Sequence, residues 1–169
     1  MTTQGQIEID TDTKDQLEEK SNYLLEIRTV QSPPFRCLIE ALKEILTDAN
    51  IEFDETGMKI IAMDASHTVL VHLKLESKNF ESYHCPNKLV LGIGMLNFFK
   101  LIKTLGNNDT LTLYVEAEDP NKLGIKIENG EKNSITRYKL NLMDLPEETI
   151  TVPPATFESV ITMPAIDFQ

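Results

Sequence analysis

The chain has 169 residues, a length that suits one domain, and its hydrophobic content of 41% is sufficient for a packed core. Its formal net charge is -11, which argues against a protein that coats nucleic acid with a wholly basic surface. The two cysteines, Cys37 and Cys85, are too few for a disulfide framework, and each stands where a reduced, packed thiol is expected. We therefore expect an intracellular protein.

The first half of the chain begins with residues 1–22, which carry six acidic and few large apolar residues. This composition predicts a disordered acidic extension and neither a signal peptide nor a membrane anchor. Residues 23–30 are predicted to form a strand, and a helix follows with Ser32 as its N-cap and Pro33 in its first turn. The apolar stripe of this helix recurs at three- and four-residue steps, at Phe35, Leu38, Ile39, Leu42, Ile45, Leu46 and Ala49.

Alternating apolar residues then predict strands in two series. The first comprises residues 51–54, 58–63 and 67–75, with a tight hairpin at Glu55-Thr56-Gly57 and a further short strand at 80–84. The second comprises a strand at 88–93, a helix at 95–105, and strands at 110–116, 123–128 and 135–142. The chain is therefore predicted to contain two units, each made of one strand, one helix and three strands.

Two such units predict an α+β fold in which they join edge to edge and place both helices on one face of a continuous system of antiparallel sheets. Basic residues on these helices are candidates for a weakly basic surface: Arg36 and Lys43 on the first, Lys100 and Lys103 on the second. Composition by itself favours ordinary solvated side chains, and the neighbouring Glu40 and Glu44 support that interpretation.

Residues 63–67 (Met63-Asp64-Ala65-Ser66-His67) form a polar connection between two predicted strands. An Asp, a Ser and a His so close together raise the possibility of a catalytic triad, but no strand-turn-helix elbow surrounds the serine. We therefore expect a loop whose Asp and Ser side chains bond their own backbone, and no enzyme activity.

Other chemistry is weakly supported. Gly92-Ile93-Gly94 resembles the start of a dinucleotide-binding loop, but Asn97 occupies the third glycine position and the strands do not alternate with crossover helices. An enzyme with a nucleotide loop here is the least favoured alternative. No metal-ligand spacing is found among the candidate ligands His67, His72, His84 and Cys85. Neither a metal nor a cofactor is therefore expected.

Residues 143–156 combine acids, prolines and isolated apolar residues, which predicts an extended segment that crosses a surface. Residues 157–163 again look like a strand, but no further strand follows for it to pair with. We therefore expect residues 157–169 to be the beginning of a second domain.

Four motifs in this order carry a resemblance to a known family, over about residues 23–168. They are Leu38-Ile39-Glu40-Ala41-Leu42-Lys43, Met63-Asp64-Ala65-Ser66-His67, Leu142-Met143-Asp144-Leu145 and Met163-Pro164. In these motifs the chain is similar to proliferating cell nuclear antigen, the eukaryotic and archaeal sliding clamp. The resemblance implies a ring of three subunits around duplex DNA, each with two similar domains, helices on the inner wall and no catalytic activity. Residues 23–142 would be the amino-terminal domain, residues 143–156 the interdomain connector, and residues 157–169 the first strand of the second domain.

The resemblance also implies roles for particular residues. Basic side chains would face DNA at Arg36, Lys43, Lys100 and Lys103, although Cys37 stands where many members carry a further lysine. A pocket for partner peptides with one aliphatic and two aromatic anchors would be lined by Met63, His67, Leu70, Ile150, Val152 and Pro153. The edge strand that pairs with a neighbouring subunit would include Ile135, Arg137, Tyr138 and Lys139.

The implied function is that of a processivity factor for a DNA polymerase, loaded by a clamp loader, which also docks replication and repair proteins. Its location would be the nucleus, or a viral replication compartment in the cytoplasm. The acidic extension and Pro146 depart from the family pattern, and the span of one domain suggests an excised fragment or a divergent, for example viral, member. The alternative is a stand-alone module that binds peptides without encircling DNA and protects its edge strand with Arg137 and Lys139.

Overall fold

The computed structural model describes residues 22–146, 150, 154 and 156–168, apart from the side chains of Ala165 and Phe168. Two helices and nine strands follow one another in these residues: β1 (Tyr23–Thr29), α1 (Ser32–Ile45), β2 (Asp48–Asp54), β3 (Gly57–Met63), β4 (Leu70–Glu76), β5 (Ser82–His84), β6 (Leu89–Gly94), α2 (Met95–Ile102), β7 (Asp109–Glu116), β8 (Lys122–Asn129) and β9 (Ser134–Asn141). Short 3₁₀ turns occur at Ser77–Asn79 and Ala165–Phe168. No helix in this part of the chain is both long and apolar enough to cross a bilayer.

The strands form two antiparallel sheets, and the two predicted units exchange their first strands between them. One sheet has the order β5-β1-β7-β8-β9, and the other has the order β4-β3-β2-β6. Thus β1 of the first unit pairs with β7 of the second, and β6 of the second unit pairs with β2 of the first. The α+β class and the repeated strand-helix-three-strand order are confirmed, but the strands form two sheets and not one continuous system.

Both helices contribute to the hydrophobic core that the inner faces of the two sheets share. Helix α1 buries Phe35, Ile39 and Leu42, in agreement with its predicted stripe. Helix α2 buries Phe98, and the rings of Phe35 and Phe98 meet edge to face with centroids 6.4 Å apart. The helices are therefore held side by side, and their opposite faces remain on the surface.

Several element ends differ from the sequence-based expectation. Ser32 is not the N-cap, because Gln31 holds that position; Ser32 is fully buried and its hydroxyl donates to the carbonyl of Asp109. Ala49 belongs to β2 and not to α1, since that helix ends at Ile45. Helix α2 ends at Ile102 and not at residue 105, because the next turn closes with a three-residue bond from Leu105 N to Ile102 O (3.0 Å).

Two further expectations are corrected. Cys37 is exposed on α1 and is not packed, whereas Cys85 is buried and its Sγ lies 3.1 Å from the carbonyl of Asn87. Residues 157–163 form no strand in the structure, and Phe157 is 76% exposed. The assignment of residues 157–169 to the beginning of a second domain stays a prediction. The acidic extension up to residue 21 and the connector residues Val152 and Pro153 lie outside the described part of the chain.

Candidate functional site

The loop between β3 and β4 is organised by the carboxylate of Asp64. It accepts bonds from the Ser66 hydroxyl, from Thr68 N (2.8 Å) and from Val69 N (2.7 Å). The Asp64 backbone closes the loop with two more bonds, from its N to Val69 O (3.0 Å) and to its O from His67 N (2.9 Å). The predicted loop, in which Asp and Ser bond their own backbone, is therefore present.

The same geometry gives Asp64 a structural role. The Ser66 hydroxyl, followed by the backbone of Val69, lowers the pKa of Asp64 from its ordinary value of 3.8 to about 2. In a catalytic triad the acid orients the histidine, whereas here Asp64 binds the serine directly. His67 adopts a left-handed backbone conformation with φ of 54° and is exposed. The loop thus presents His67 to the surface on a rigid turn.

The connector, residues 143–156, begins by running along the open edge of β6. Met143 forms an isolated antiparallel bridge with Gly92, in which Met143 N donates to Gly92 O over 2.8 Å. A Cβ at position 92 would overlap the carbonyl oxygen of Met143 and come within 3.1 Å of Leu145 Cγ. Further on, Asn50 Nδ2 donates to the carbonyl of Pro146 (3.0 Å). The connector can therefore lie against the sheet because glycine at position 92 has no side chain.

A groove of about 470 Å³ lies between the connector and the outer face of the β4-β3-β2-β6 sheet. We call it the connector groove. Its apolar lining residues are Ala49, Ile61, Ala62, Met63, Val90, Leu145, Pro146 and Ile150, and its polar ones are Asp48, Asn50, Glu52, Lys59 and Lys88. The register pairs Glu52 with Lys59 and with Val90, and Lys88 bonds Glu52 over 3.3 Å, so one end of the groove is charged.

The structure places some of the predicted pocket residues in the connector groove and others beside it. Met63 and Ile150 both line the connector groove, although 87 positions separate them in the sequence. Leu70 pairs with Met63 across the β3–β4 ladder, and both are exposed, but neither Leu70 nor His67 lines the groove itself. Val152 and Pro153 lie outside the described residues. The structure thus brings together one residue from each half of the predicted pocket.

Sequence reasoning missed Gly92 and Asn50, which position the connector. The pattern around Gly92 suggested a nucleotide loop, yet its physical meaning is a close approach of two backbones. That signal was available, because a glycine inside an apolar strand commonly marks such an approach. Asn50 gave no signal, since an outward-facing asparagine on a strand has many possible partners.

The four predicted DNA-facing cations are not equivalent. Arg36 is half-buried and donates to the carbonyl of Leu105, just beyond the end of α2. The side chain of Lys43 is only 15% exposed, lies 4.8 Å from the ring centroid of Phe99 and pairs with Glu44. Lys100 and Lys103 are exposed. Of these four cations, only Lys100 and Lys103 are exposed to solvent and form no ion pair among the described residues.

The predicted interface strand, β9, is an edge strand of its sheet. It pairs with β8 along its full length, and no described strand covers its other side. Ile135 is 52% exposed, and Lys139 forms an ion pair of 2.6 Å with Glu116 on β7. An eight-residue edge of this kind can accept a strand from another chain.

A family model described as "Proliferating cell nuclear antigen, N-terminal domain" matches residues 24–149. The chain belongs to this family. The match covers both repeated units, the β3–β4 loop and the beginning of the connector. The resemblance to this family is thereby confirmed, as is the α+β fold class; three of the four motifs lie within the match, and Met163-Pro164 lies beyond it.

Two relatives in the proliferating cell nuclear antigen family have names that bear on function. A probable DNA polymerase sliding clamp 1 of Paramecium bursaria Chlorella virus 1 is 38% identical over 151 residues, which are 89% of this chain and 58% of that protein. The proliferating cell nuclear antigen of Chaetomium thermophilum is 33% identical over 147 residues, which are 86% of this chain and 56% of that protein. The chain thus spans a little over half the length of these relatives.

Proposed function

We propose that this chain is the amino-terminal domain and connector of a DNA sliding clamp, which keeps a DNA polymerase on its template and is not itself an enzyme. The observation that carries this proposal is the family match over residues 24–149, together with the sliding-clamp name of the viral relative. In this assignment residues 23–142 are the domain, residues 143–156 join it to a second domain, and residues 157–169 begin that domain. The protein would act where DNA is replicated, in a nucleus or in a viral replication compartment of the cytoplasm.

The connector groove is proposed as the docking site for peptides of polymerases and of other replication and repair proteins. Its apolar end, around Met63 and Ile150, suits an aliphatic or aromatic anchor, because a methionine adapts its shape to the side chain it meets. Its charged end, with Glu52 and Lys88, suits the polar flank of such a peptide. His67 and Leu70, exposed beside Met63, would extend the contact beyond the groove.

Peptide titration tests this docking site. Isothermal titration calorimetry with a peptide that carries one aliphatic and two aromatic anchors should give binding that Met63→Asp and Ile150→Asp each weaken, by at least about tenfold for a buried anchor contact. Ile166→Asp is the matched control, because Ile166 is 79% exposed and lies outside the groove. Equal affinities for all three variants and the unsubstituted chain would remove the groove assignment.

The exposed side chains of Lys100, on α2, and Lys103, directly after its end, are proposed to face the phosphates of encircled DNA. Fluorescence anisotropy with duplex DNA should show that Lys100→Gln with Lys103→Gln makes the dependence of log K on log salt shallower by about 0.9 per lysine. Arg36→Gln should change this slope little and stability more, since its guanidinium is bonded to Leu105. Lys78→Gln with Lys132→Gln, two exposed lysines away from the helices, is the control. An unchanged slope in the Lys100 and Lys103 variant would return both residues to the role of solvated surface charges.

Ring closure is proposed to use the open edge of β9, with Ile135, Arg137, Tyr138 and Lys139, against a neighbouring subunit in a trimer. The sliding-clamp name of the viral relative favours this over a stand-alone peptide-binding module, since the exposed Arg137 and Lys139 on the same edge suit either arrangement. Light scattering should be performed on this chain and on a longer form that includes a second domain, if the natural gene encodes one. A longer form that stays monomeric at high concentration would exclude the ring, and peptide binding measured on the same sample would then identify the stand-alone module. A clamp loader is a further proposed partner, because a closed ring has to be opened onto DNA.

A further inference from the structure

The charged residues of the connector groove are divided between its two ends. Lys59 and Glu52 stand opposite each other in the β2–β3 ladder and line one end of the groove. The same antiparallel register brings Asp48, four residues before Glu52, level with Met63. Asp48 therefore lies at the apolar end of the groove, and Lys59 lies at the charged end.

The charged end holds a cation that the chain does not neutralise. Glu52 is bound by Lys88 over 3.3 Å, and Lys59, which is half-buried, forms no ion pair with any described residue. On its other side Lys59 stands opposite the exposed Lys74. Like charges directly opposite each other on neighbouring strands repel. A carboxylate brought in by a ligand would relieve this repulsion.

The acids beyond Lys74 are engaged elsewhere and lie outside the groove. Asp54 accepts hydrogen bonds from Thr56 N (2.7 Å) and Thr56 Oγ1 (2.6 Å), and Glu76 bonds Lys78 over 2.6 Å. The Thr56 hydroxyl is the main cause that lowers the pKa of Asp54, and Lys78 is the main cause for Glu76. The charge of Lys74 contributes least to both shifts. The cation inside the groove is therefore the one left for a ligand.

The apolar end of the groove carries the opposite charge. Asp48 is exposed and forms no ion pair within the described part of the chain. Its ladder partner on β6 is Gly94, which brings no charge. The described connector residues that line the groove, Leu145, Pro146 and Ile150, are uncharged as well. This end can therefore accept a cationic side chain.

We propose that the connector groove selects partner peptides by the order of their charges. A basic side chain next to the apolar anchors pairs with Asp48, and an acidic side chain further along the peptide pairs with Lys59. This inference rests on the docking site proposed above. The separation of Asp48 and Lys59 is about 14 Å, from four residues along a strand and one strand spacing. An extended peptide covers that distance in about four residues, so its base and its acid should stand four positions apart.

The two ends together discriminate between charge orders and against other ligands. A peptide with the reverse order would place like charges against each other at both ends, so attraction and repulsion both favour the proposed order. Duplex DNA does not suit the groove, because Asp48 and Glu52 would repel its phosphates at either end.

Calorimetric titration of the full chain with two designed peptides tests the proposal. Both peptides carry one aliphatic and two aromatic anchors; in the first a lysine adjoins the anchors and a glutamate stands four positions further away, and in the second these two charges are exchanged. Each peptide is made with this flank before and after the anchors, because the charges do not fix its chain direction. The first peptide should bind about tenfold more tightly at low salt. The difference should disappear in about 1 M salt, where the screening length falls to about 3 Å.

Charge exchange in the protein completes the test. Lys59→Glu with Asp48→Lys should reverse the preference, whereas Lys132→Glu with Glu118→Lys, the same exchange at exposed positions outside the groove, should leave it unchanged. Equal affinities of the unsubstituted chain for the two peptides, or a preference that the Lys59 and Asp48 variant retains, overturn the proposal. If Met63→Asp still weakens both peptides in that case, the docking site itself stands. If neither peptide binds, or if Met63→Asp leaves both affinities unchanged, the docking site is refuted together with this proposal.

Discussion

Replacing Gly92 with alanine should release the connector from the sheet without unfolding the domain. The added methyl group would come closer than 3.0 Å to the Met143 carbonyl oxygen, a separation that real Cβ atoms do not show, and within 3.1 Å of Leu145 Cγ. Carbon atoms pack at about 3.5 to 4.0 Å, so the connector has to move by about 1 Å. Such a shift takes the bond from Met143 N to Gly92 O, now 2.8 Å, beyond the length of a hydrogen bond.

The magnitudes decide which measurement is informative. Losing the Met143 bond costs about 1 kcal/mol, which corresponds to roughly fivefold faster exchange of the Met143 amide. Alanine also restricts the unfolded chain, which stabilises the folded state by about 0.4 to 1 kcal/mol. These two effects nearly cancel in the free energy of unfolding, so urea denaturation should change little. Hydrogen exchange of the connector is therefore the assay.

Gly94→Ala is the matched control, because its added Cβ would meet Met143 Sδ at 3.6 Å and Asn97 Nδ2 at 3.8 Å, which are ordinary contacts. We expect the Met143 amide to exchange about fivefold faster in the Gly92 variant and at an unchanged rate in the Gly94 variant. Peptide binding in the connector groove should fall only in the former. Equal protection of Met143 in both variants would refute the argument that the bare backbone of Gly92 seats the connector.

Three further predictions concern stability and titration. Phe98→Ala should lower the free energy of unfolding in urea by about 3 to 5 kcal/mol, because it empties the contact between the helices, whereas Phe157→Ala, at an exposed site, should change it by less than about 0.5 kcal/mol. Asp109→Asn should lower the free energy of unfolding in the same assay by about 1 to 3 kcal/mol, since the buried carboxylate accepts hydrogen bonds from Gly106 N (2.7 Å) and Asn129 Nδ2 (2.6 Å). Its control, Asp119→Asn, loses only a surface ion pair and should lower that free energy by less than about 1 kcal/mol. The folded-state pKa of Asp64 is lowered, so the contribution of its carboxylate to the stability of the folded chain should be complete above pH 3.8 and disappear as the pH falls through about 2. An Asp64 carboxyl resonance that titrates at pH 3.8 in the folded chain would contradict this.

Periodicity in the sequence was sufficient to locate the helices and the strands of the domain. Half-buried strands alternate with period two and surface helices with period 3.6, so these elements are local properties of the chain. The assignment of strands to sheets is not local. Nothing in the alternation of β1 or β6 states that each pairs with a strand of the other unit, and joining the units edge to edge was the simpler expectation.

The candidate site was predictable where side-chain chemistry was decisive and not where distant contacts were. Asp64 followed from its position in a polar turn. Ser32 looked like a cap, but its hydroxyl is taken by a carbonyl 77 positions away, which no local pattern reports. Likewise Arg36 and Lys43 look like surface cations. Only the packing of α1 against α2 shows that Arg36 is bonded to the carbonyl of Leu105, just beyond the end of α2, and that Lys43 lies over the ring of Phe99 within α2.

The exchange of first strands between the two units has a consequence for how the chain folds. A chain that emerges in order carries β1 for more than eighty residues before its partner β7 exists, so neither sheet can be completed until most of the domain has been synthesised. The first unit by itself would lack β6 in one sheet and would keep only β1 with the short β5 of the other. The second unit by itself would lack β1 beside β7 and would leave β6 with no strand to pair with. Two separately produced halves, cut between β5 and β6, should therefore remain incomplete alone and fold when they are mixed.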